Sequence, residues 1–130
     1  MTKECIFSHS GPPAAGPYSH AVKANGFLFV SGQGPFARDG SGPIRGTIEE
    51  ETRTTLENLK AVLADAGAGL EDVVKTTAFL SDMVNFAKFN DVYKAYFGSN
   101  QPARTCIQAG RLPLDIQVEI EAIAVIPEGK

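Results

Sequence analysis

Apolar residues recur along this chain with two different periods, and the longer period marks the helices. Its clearest stretch is residues 47–66, with one apolar face formed by Ile48, Leu56, Leu59, Val62, Leu63 and Ala66. Thr47 and Glu50 fit a capping box at its start, and Gly67 is the residue type that commonly ends a helix. The pattern therefore predicts an amphipathic helix lying on a core.

A second helical repeat covers about residues 85–97 and is rich in aromatic side chains. Its aromatic positions are Phe86, Phe89, Tyr93, Tyr96 and Phe97, and Gly98 follows as the stop. Such a stripe at helical spacing is typical of core packing. We favour that interpretation over a cofactor-binding surface.

Alternating and β-branched segments predict five strands. The Asn25-Gly26 pair, which suits a type I′ turn, divides residues 22–30 into a hairpin whose second strand is residues 27–31. Three more strands are predicted at residues 73–80, 104–109 and 115–126. The order β-β-α-β-α-β-β is typical of an α+β fold, with both helices on one face of a mixed sheet.

The last predicted strand has an informative second face. Its first face is apolar throughout: Ile116, Val118, Ile120, Ala122, Ala124 and Ile126. Its other face begins with Gln117, Glu119 and Glu121 but ends with Ile123 and Val125. Either a neighbouring subunit covers the apolar end, or these are two scattered exposed residues. We favour the subunit.

Length and composition narrow the class of protein. The 130 residues predict a single domain over residues 1–130. A net charge of −3 argues against non-specific nucleic-acid binding, which needs many Lys and Arg side chains. No signal peptide and no apolar run long enough for a membrane span is visible. We expect a cytoplasmic protein without membrane contacts, in which Cys5 and Cys106 are free thiols.

Two strands carry the candidate chemistry. Arg104 and Cys106 share one face of their strand, and Glu119 lies on the next strand. If these strands pair antiparallel, Arg104 and Glu119 lie on the same side of the sheet. An Arg binds a carboxylate through two parallel hydrogen bonds, and a Glu orients or deprotonates a water molecule. The alternative, favoured by spacing alone, is a structural ion pair.

Other reactive side chains give weaker signals. No His has a sequence reason to lie beside Cys106, so an inert thiol is a better interpretation than a nucleophile. His9 and His20 are near each other, but no further ligands complete a metal site, so we predict none. Tyr18 follows Pro17 in an irregular segment, where its ring covers a pocket or simply packs.

Several motifs, in order, resemble one known family. They are residues 16–22 (GPYSHAV), 31–33 (SGQ), 74–77 (VKTT), Asp82-Met83, Asn90 with Tyr93, 102–104 (PAR) and 119–124 (EIEAIA). Each motif alone has low specificity, but together and in this order they resemble the RidA family, also called YjgF, of reactive intermediate or imine deaminases. The match covers almost the whole chain.

The resemblance implies a chorismate-mutase-like subunit that assembles as a homotrimer, with three sites in the clefts between subunits. It implies hydrolysis of small 2-imino acids, such as 2-iminobutanoate and 2-iminopropanoate, to 2-oxo acids and ammonia. These imines arise when pyridoxal-phosphate dehydratases act on threonine or serine. The family enzymes need no cofactor and no metal.

The resemblance also implies a role for each matching residue. Arg104 stands where the family's Arg binds the substrate carboxylate, and Glu119 where its Glu holds the attacking water. Tyr18 stands at the position of the pocket Tyr. The remaining substrate-binding positions are Ser31 and Gly32 at the strand end, Asn90 at the cleft, and Cys106, which lies beside the ligand mainly through its backbone.

Departures from the family pattern bear on substrate range. Gly34 stands where an aliphatic residue is usual, and His20 where Gln is common. The helix start Glu51-Thr52-Arg53 also differs from the usual one. The alternatives to a deaminase of small 2-imino acids are a non-catalytic 2-oxo-acid-binding regulatory or chaperone trimer, a ribonuclease, and a 2-aminomuconate deaminase.

Overall fold

The computed structural model describes residues 2–127 as a six-stranded mixed sheet with two long helices on one face. The strands are β1 (Glu4–Ile6), β2 (Ala21–Ala24), β3 (Phe27–Gln33), β4 (Val73–Leu80), β5 (Ala103–Gln108) and β6 (Val118–Val125). The helices are α1 (Ile48–Asp65) and α2 (Phe86–Phe97). The spatial order of the strands is β1-β2-β3-β6-β4-β5. The predicted α+β class, with two helices on a mixed sheet, is confirmed.

Helix α1 begins and ends as its sequence predicts. The Thr47 hydroxyl accepts a hydrogen bond from the Glu50 amide at 3.1 Å, and the Glu50 carboxylate accepts one from the Thr47 amide at 2.8 Å. Gly67 follows the helix with a φ of 86°, which a glycine adopts without strain. The predicted apolar positions are all buried. Packing of this face on the sheet fixes the direction of the helix.

The aromatic stripe of α2 packs into the core, as predicted. Phe89, Tyr93 and Phe97 are buried. The centroid of the Tyr93 ring lies 5.6 Å from that of Phe89 and 4.6 Å from that of Phe97, distances typical of packed aromatic pairs. The Tyr93 hydroxyl forms a 2.7 Å hydrogen bond with the hydroxyl of Thr76 on β4, so the polar end of the ring is satisfied.

The hairpin is confirmed, and the sheet has one strand more than predicted. Asn25 and Gly26 both have positive φ, as a type I′ turn requires. Strand β1, which was not predicted, pairs antiparallel with β2. Three residues are too few to show a recognisable alternation, so only its pairing reveals it as a strand.

The strands carrying Arg104 and Glu119 do not pair with each other, so the condition for placing the two residues on one side of the sheet is not met. Strand β5 pairs parallel with β4, and β4 lies between β5 and β6. The cause is the β4–α2–β5 crossover, which brings the chain back parallel to β4. Strand β6 also begins at Val118 rather than at residue 115, because Pro113–Asp115 forms a short turn.

The sheet has one covered face and one open face. The covered face packs against both helices and supplies buried residues such as Leu28, Ala78 and Ile120. The exposed large apolar residues of the open face are Phe27, Phe29, Ile107 and Val125, each 42–47% exposed. The second face of β6 therefore belongs to a wider apolar surface. That a second subunit covers this surface stays a prediction.

Asp65 at the end of α1 anchors the irregular segment that leads to Tyr18. Its carboxylate accepts hydrogen bonds from the Ser8 hydroxyl at 2.6 Å, the Ser10 amide at 2.9 Å and the His9 amide at 3.0 Å. These bonds, led by that of the Ser8 hydroxyl, lower the pKa of Asp65 to about 2. The ionised carboxylate thus holds the segment on the helix.

We predict that Asp65→Asn lowers the free energy of unfolding at neutral pH by about 1 kcal/mol, allowing for the solvent exposure of this carboxylate. Because the folded-state pKa is depressed, this contribution is present above pH 4 and is lost as the pH falls towards about 2. Urea unfolding of both proteins across this range measures the difference. Asp91→Asn, at an exposed position on α2, is the control. A deficit that is constant with pH would contradict the assignment.

Candidate functional site

An open cleft of about 730 Å³ lies at the end of the open sheet face. It brings together four of the residues predicted from the sequence: Tyr18, Ser31, Gly32 and Glu119. The other lining residues are Ala15, Phe36, Pro113, Leu114 and Glu121. The cleft therefore combines two carboxylates with a phenol, a hydroxyl and apolar walls.

Hydrogen bonds to the preceding segment hold the end of β3 in place. The Ser31 amide donates to the His20 carbonyl at 3.0 Å, and the Ser31 hydroxyl donates to the Ser19 carbonyl at 2.7 Å. Tyr18, next along the segment, is 44% exposed, and its hydroxyl accepts a hydrogen bond from the Ala15 amide at 3.2 Å. The phenol is thus fixed at the cleft wall, and its own proton remains available for donation.

Gly32 makes room for Glu119. A Cβ atom at residue 32 would collide with the Glu119 carboxylate, so only glycine allows this carboxylate to lie against β3. Glu119 is half-buried. Burial raises the pKa of Glu119, and the nearby negative charge of Glu121 raises it further. A raised pKa makes the Glu119 carboxylate a stronger proton acceptor than an ordinary exposed glutamate.

Arg104 lies in a different environment, against helix α2. Its guanidinium donates to the Asn90 side-chain oxygen at 2.8 Å. The Cζ atom of Arg104 lies 4.9 Å from the ring centroid of Tyr93, 5.5 Å from that of Phe86 and 5.7 Å from that of Phe89. Cation–π attraction thus holds the side chain on one side. Among residues 2–127, no carboxylate pairs with this guanidinium.

Cys106, two residues further along β5, is partly buried near the same helix. Burial raises the pKa of its thiol, and the positive charge of Arg104 opposes the shift only in part. The thiol therefore stays protonated at neutral pH, a state in which it is a poor nucleophile. This agrees with the inert role expected from the sequence.

Arg104 and Glu119 lie on opposite faces of the sheet, which contradicts the shared side considered for antiparallel neighbouring strands. Arg104 is paired with Thr76 of β4, whose side chain faces the helices. Glu119 is paired with Phe79, three residues further along β4. Because side chains alternate between the two faces of a strand, Phe79 and Glu119 point to the open face. The alternative of a structural ion pair between them is wrong for the same reason. One chain thus carries two separate groups of candidate residues: Arg104, Asn90 and Cys106, and then Tyr18, Ser31, Gly32 and Glu119.

The aromatic surroundings of Arg104 were missed from the sequence, although a signal was present. Phe86, Asn90 and Tyr93 are spaced i, i+4 and i+7, which places them on one helix face. Helical spacing alone predicts core packing for the aromatic residues, and it does not show which side chain of another element they surround. Leu114 and Phe36 in the cleft gave no comparable signal, because both lie in irregular segments.

Neither a metal cluster nor a membrane-spanning helix occurs in the part of the chain that the structure describes. Between residues 2 and 127, no three His, Cys, Asp or Glu side chains are grouped so as to hold a metal ion. In the same range, no helix has the length and apolar character needed to cross a bilayer.

Comparison with known proteins identifies the class. The family model described as "Endoribonuclease L-PSP" matches residues 8–126. A RutC family protein of Pyrococcus abyssi is 48% identical over 124 residues, which cover 95% of this chain and 98% of that protein. The Escherichia coli protein named "Putative reactive intermediate deaminase TdcF" is 40% identical over 126 residues, covering 95% of this chain and 97% of its own length.

Solved structures agree with the sequence relatives. The crystal structure of yeast Mmf1 superposes with a TM-score of 0.93 at 42% identity and covers 97% of this chain and 100% of its own. The structure of Escherichia coli TdcF with bound serine gives a TM-score of 0.88 at 39% identity, with 94% and 98% covered. This chain belongs to the YjgF/RidA family, as its motifs suggested.

We predict that Glu121→Gln lowers the pKa of Glu119, because it removes the neighbouring negative charge that raises it. NMR titration of carbon-labelled glutamate side chains measures the change. The control Glu71→Gln, at an exposed position outside the cleft, leaves the Glu119 titration unchanged. An unshifted Glu119 pKa in Glu121→Gln would mean that the two carboxylates do not interact.

Proposed function

We propose that this protein is a deaminase that hydrolyses 2-iminobutanoate and 2-iminopropanoate to 2-oxo acids and ammonia at sites shared between the copies of a homotrimer. The family supports the general activity, since a relative at 40% identity is named as a reactive intermediate deaminase. The observation that carries the proposal is the placement of Arg104 and Glu119 on opposite faces of one sheet.

A shared site reunites the two groups of residues. Strand β5 lies at the edge of the sheet, so Arg104 is near a boundary that a second copy can approach. The cleft with Glu119 opens on the apolar face, which needs a partner to be covered. In a cyclic trimer each interface joins two different surfaces, so the edge of one copy meets the cleft of the next three times.

In the proposed complex, Arg104 binds the substrate carboxylate. Asn90 occupies one terminal nitrogen, Nη1, and leaves Nη2 and Nε free for the two parallel bonds that a carboxylate accepts. The three aromatic rings keep the guanidinium from rotating away. Cys106 lies beside the carboxylate through its backbone.

Glu119 supplies the acid–base chemistry. It accepts a proton from a water molecule as the water oxygen attacks the iminium carbon, and the C=N bond becomes a C–N single bond. The same proton then goes to the amino nitrogen. The C–N bond breaks, ammonia leaves, and the hydroxyl proton passes through Glu119 to ammonia, which gives ammonium and the 2-oxo acid. Tyr18 covers the cleft, and Ser31 and Gly32 line it.

We predict that the protein sediments as three copies of the chain and that Phe29→Glu dissociates the assembly, because it places a charge in the apolar open face. Sedimentation equilibrium measures the mass. Ile44→Glu, at an exposed apolar position away from that face, leaves the mass unchanged. A monomeric wild-type protein would rule out the shared site.

We predict that the wild-type protein accelerates formation of 2-oxobutanoate when it is coupled to a threonine dehydratase. Arg104→Ala is expected to lower kcat/KM by at least about 100-fold, since the carboxylate loses its charged anchor. Glu119→Gln loses turnover and retains binding of 2-oxobutanoate, measured by calorimetry. Arg53→Ala, on the exposed side of α1, is the control.

Mixed trimers test the shared site directly. Coexpression of Arg104→Ala chains with Glu119→Gln chains in equal amounts leaves one intact interface in every mixed trimer, so about a quarter of wild-type activity returns. If both residues served a site within one chain, mixing would restore nothing.

Three alternatives can be distinguished from the proposed deaminase. The family description names an endoribonuclease, but the cleft carries the carboxylates of Glu119 and Glu121, which repel a phosphodiester. Tight 2-oxobutanoate binding with no imine hydrolysis would instead favour a regulatory trimer. Hydrolysis of 2-aminomuconate in preference to small imines would move the activity to a larger substrate.

A further inference from the structure

The cleft beside Glu119 adjoins a second cavity of about 300 Å³. The two cavities share wall residues, namely Ala15, Tyr18, Gly32, Phe36 and Leu114. We call the second cavity the annex. Its volume lies at the lower end of small-molecule pockets, which span roughly 300–1,000 Å³. The annex extends the candidate site along one side.

The annex is mainly apolar. Its remaining walls include Pro12, Pro13, Ala14 and Ala37, and its lining contains no Asp, Glu, Lys or Arg. His20 also lines it, but both ring nitrogens are engaged, with the Ser8 amide at 3.1 Å and the Pro12 carbonyl at 2.6 Å. Gln33, whose side-chain amide donates to the Ser31 carbonyl at 3.1 Å, also lines it, so the surface of the annex is mainly apolar with a few polar groups.

Leu114, which lies between the cleft and the annex, has an unusual backbone. Its φ is 55°, a left-handed conformation that leucine rarely adopts, and its side chain is 61% exposed. Arg45 donates to the carbonyls of Leu114 at 2.7 Å and of Asp115 at 3.4 Å, which holds the turn. Backbone strain of this kind is concentrated at functional sites. Here it keeps an exposed apolar side chain at the boundary between the two cavities.

We propose that the annex binds the side chain of the 2-imino acid and makes the protein select substrates with branched or long apolar side chains. This inference rests on the proposed deaminase function. With the carboxylate on Arg104 and the imine carbon at Glu119, the substituent on that carbon is the group free to enter the annex. A methyl group leaves the annex empty, whereas an isobutyl group displaces water from its apolar walls.

The test compares imines derived from alanine and leucine, each generated with an L-amino-acid oxidase and followed by trapping of the remaining imine. The wild-type protein is expected to show a kcat/KM about 10-fold or more higher for the leucine-derived imine. Ala37→Leu fills the annex and is expected to lower that value about 10-fold, with less than about a threefold change for the alanine-derived imine. Ala64→Leu, on the exposed side of α1, is the matched control.

Two further variants guard against a folding defect in Ala37→Leu. Ala14→Leu fills the annex from another wall and is expected to have the same selective effect. Leu114→Asn introduces a residue that adopts positive φ readily, so the backbone of the turn is retained while the apolar side chain is removed. This variant is expected to raise KM for the leucine-derived imine. Calorimetry with 4-methyl-2-oxopentanoate and pyruvate gives the corresponding binding ratio.

The outcomes separate this proposal from the activity on which it rests. Hydrolysis of the alanine-derived imine without a preference for the leucine-derived one would overturn the proposed role of the annex and would still support the proposed deaminase function. Equal losses for both imines in all annex variants would also overturn it. Absence of any imine hydrolysis would remove both proposals together.

Discussion

Strand β4 is the element on which the arrangement of the candidate chemistry depends. It lies between β5 and β6. Its register with these two strands places the Arg104 side chain on the face covered by the helices and the Glu119 side chain on the open face. Every consequence for function follows from this separation. Helix α2 holds the guanidinium, whereas the carboxylate lies against Gly32 at the end of β3 on the opposite face of the sheet. A reaction that needs both groups therefore needs two chains.

The same sheet explains why two chains would associate. The helix face buries almost all of the core, whereas the open face leaves Phe27, Phe29 and Val125 nearly half exposed. A chain of 130 residues buries roughly two thirds of its unfolded surface by folding alone. Covering the open face by a second chain adds burial without a longer chain. In the proposed trimer, one apolar surface therefore serves both the assembly of the chains and the completion of the site.

The sequence predicts where helices, strands and turns lie along the chain better than it predicts which strands are adjacent in the sheet. Caps such as Thr47 with Glu50 and the turn at Asn25 are local, so the residues themselves specify them. Alternation likewise tells which residues share a face of one strand. It carries no information about which strand lies beside another, so the sequence of β5 does not show that β4, rather than β6, is its neighbour. The separation of Arg104 from Glu119 depends on that non-local choice, and motif resemblance alone did not reveal it.

Two departures from the family pattern converge on the turn before Glu119. A Cβ atom at Gly34 would lie 2.7 Å from the Ile116 side chain and 2.8 Å from the Phe36 ring, so the missing side chain lets both move inward. Buried Glu51 accepts hydrogen bonds from the Gln117 amide at 3.0 Å and its side chain at 2.7 Å. Residues 116 and 117 are thereby fixed immediately before Val118 and Glu119. Because Phe36 also lines the cleft, Gly34 couples the anchoring of the strand that carries Glu119 to the shape of the cleft beside it.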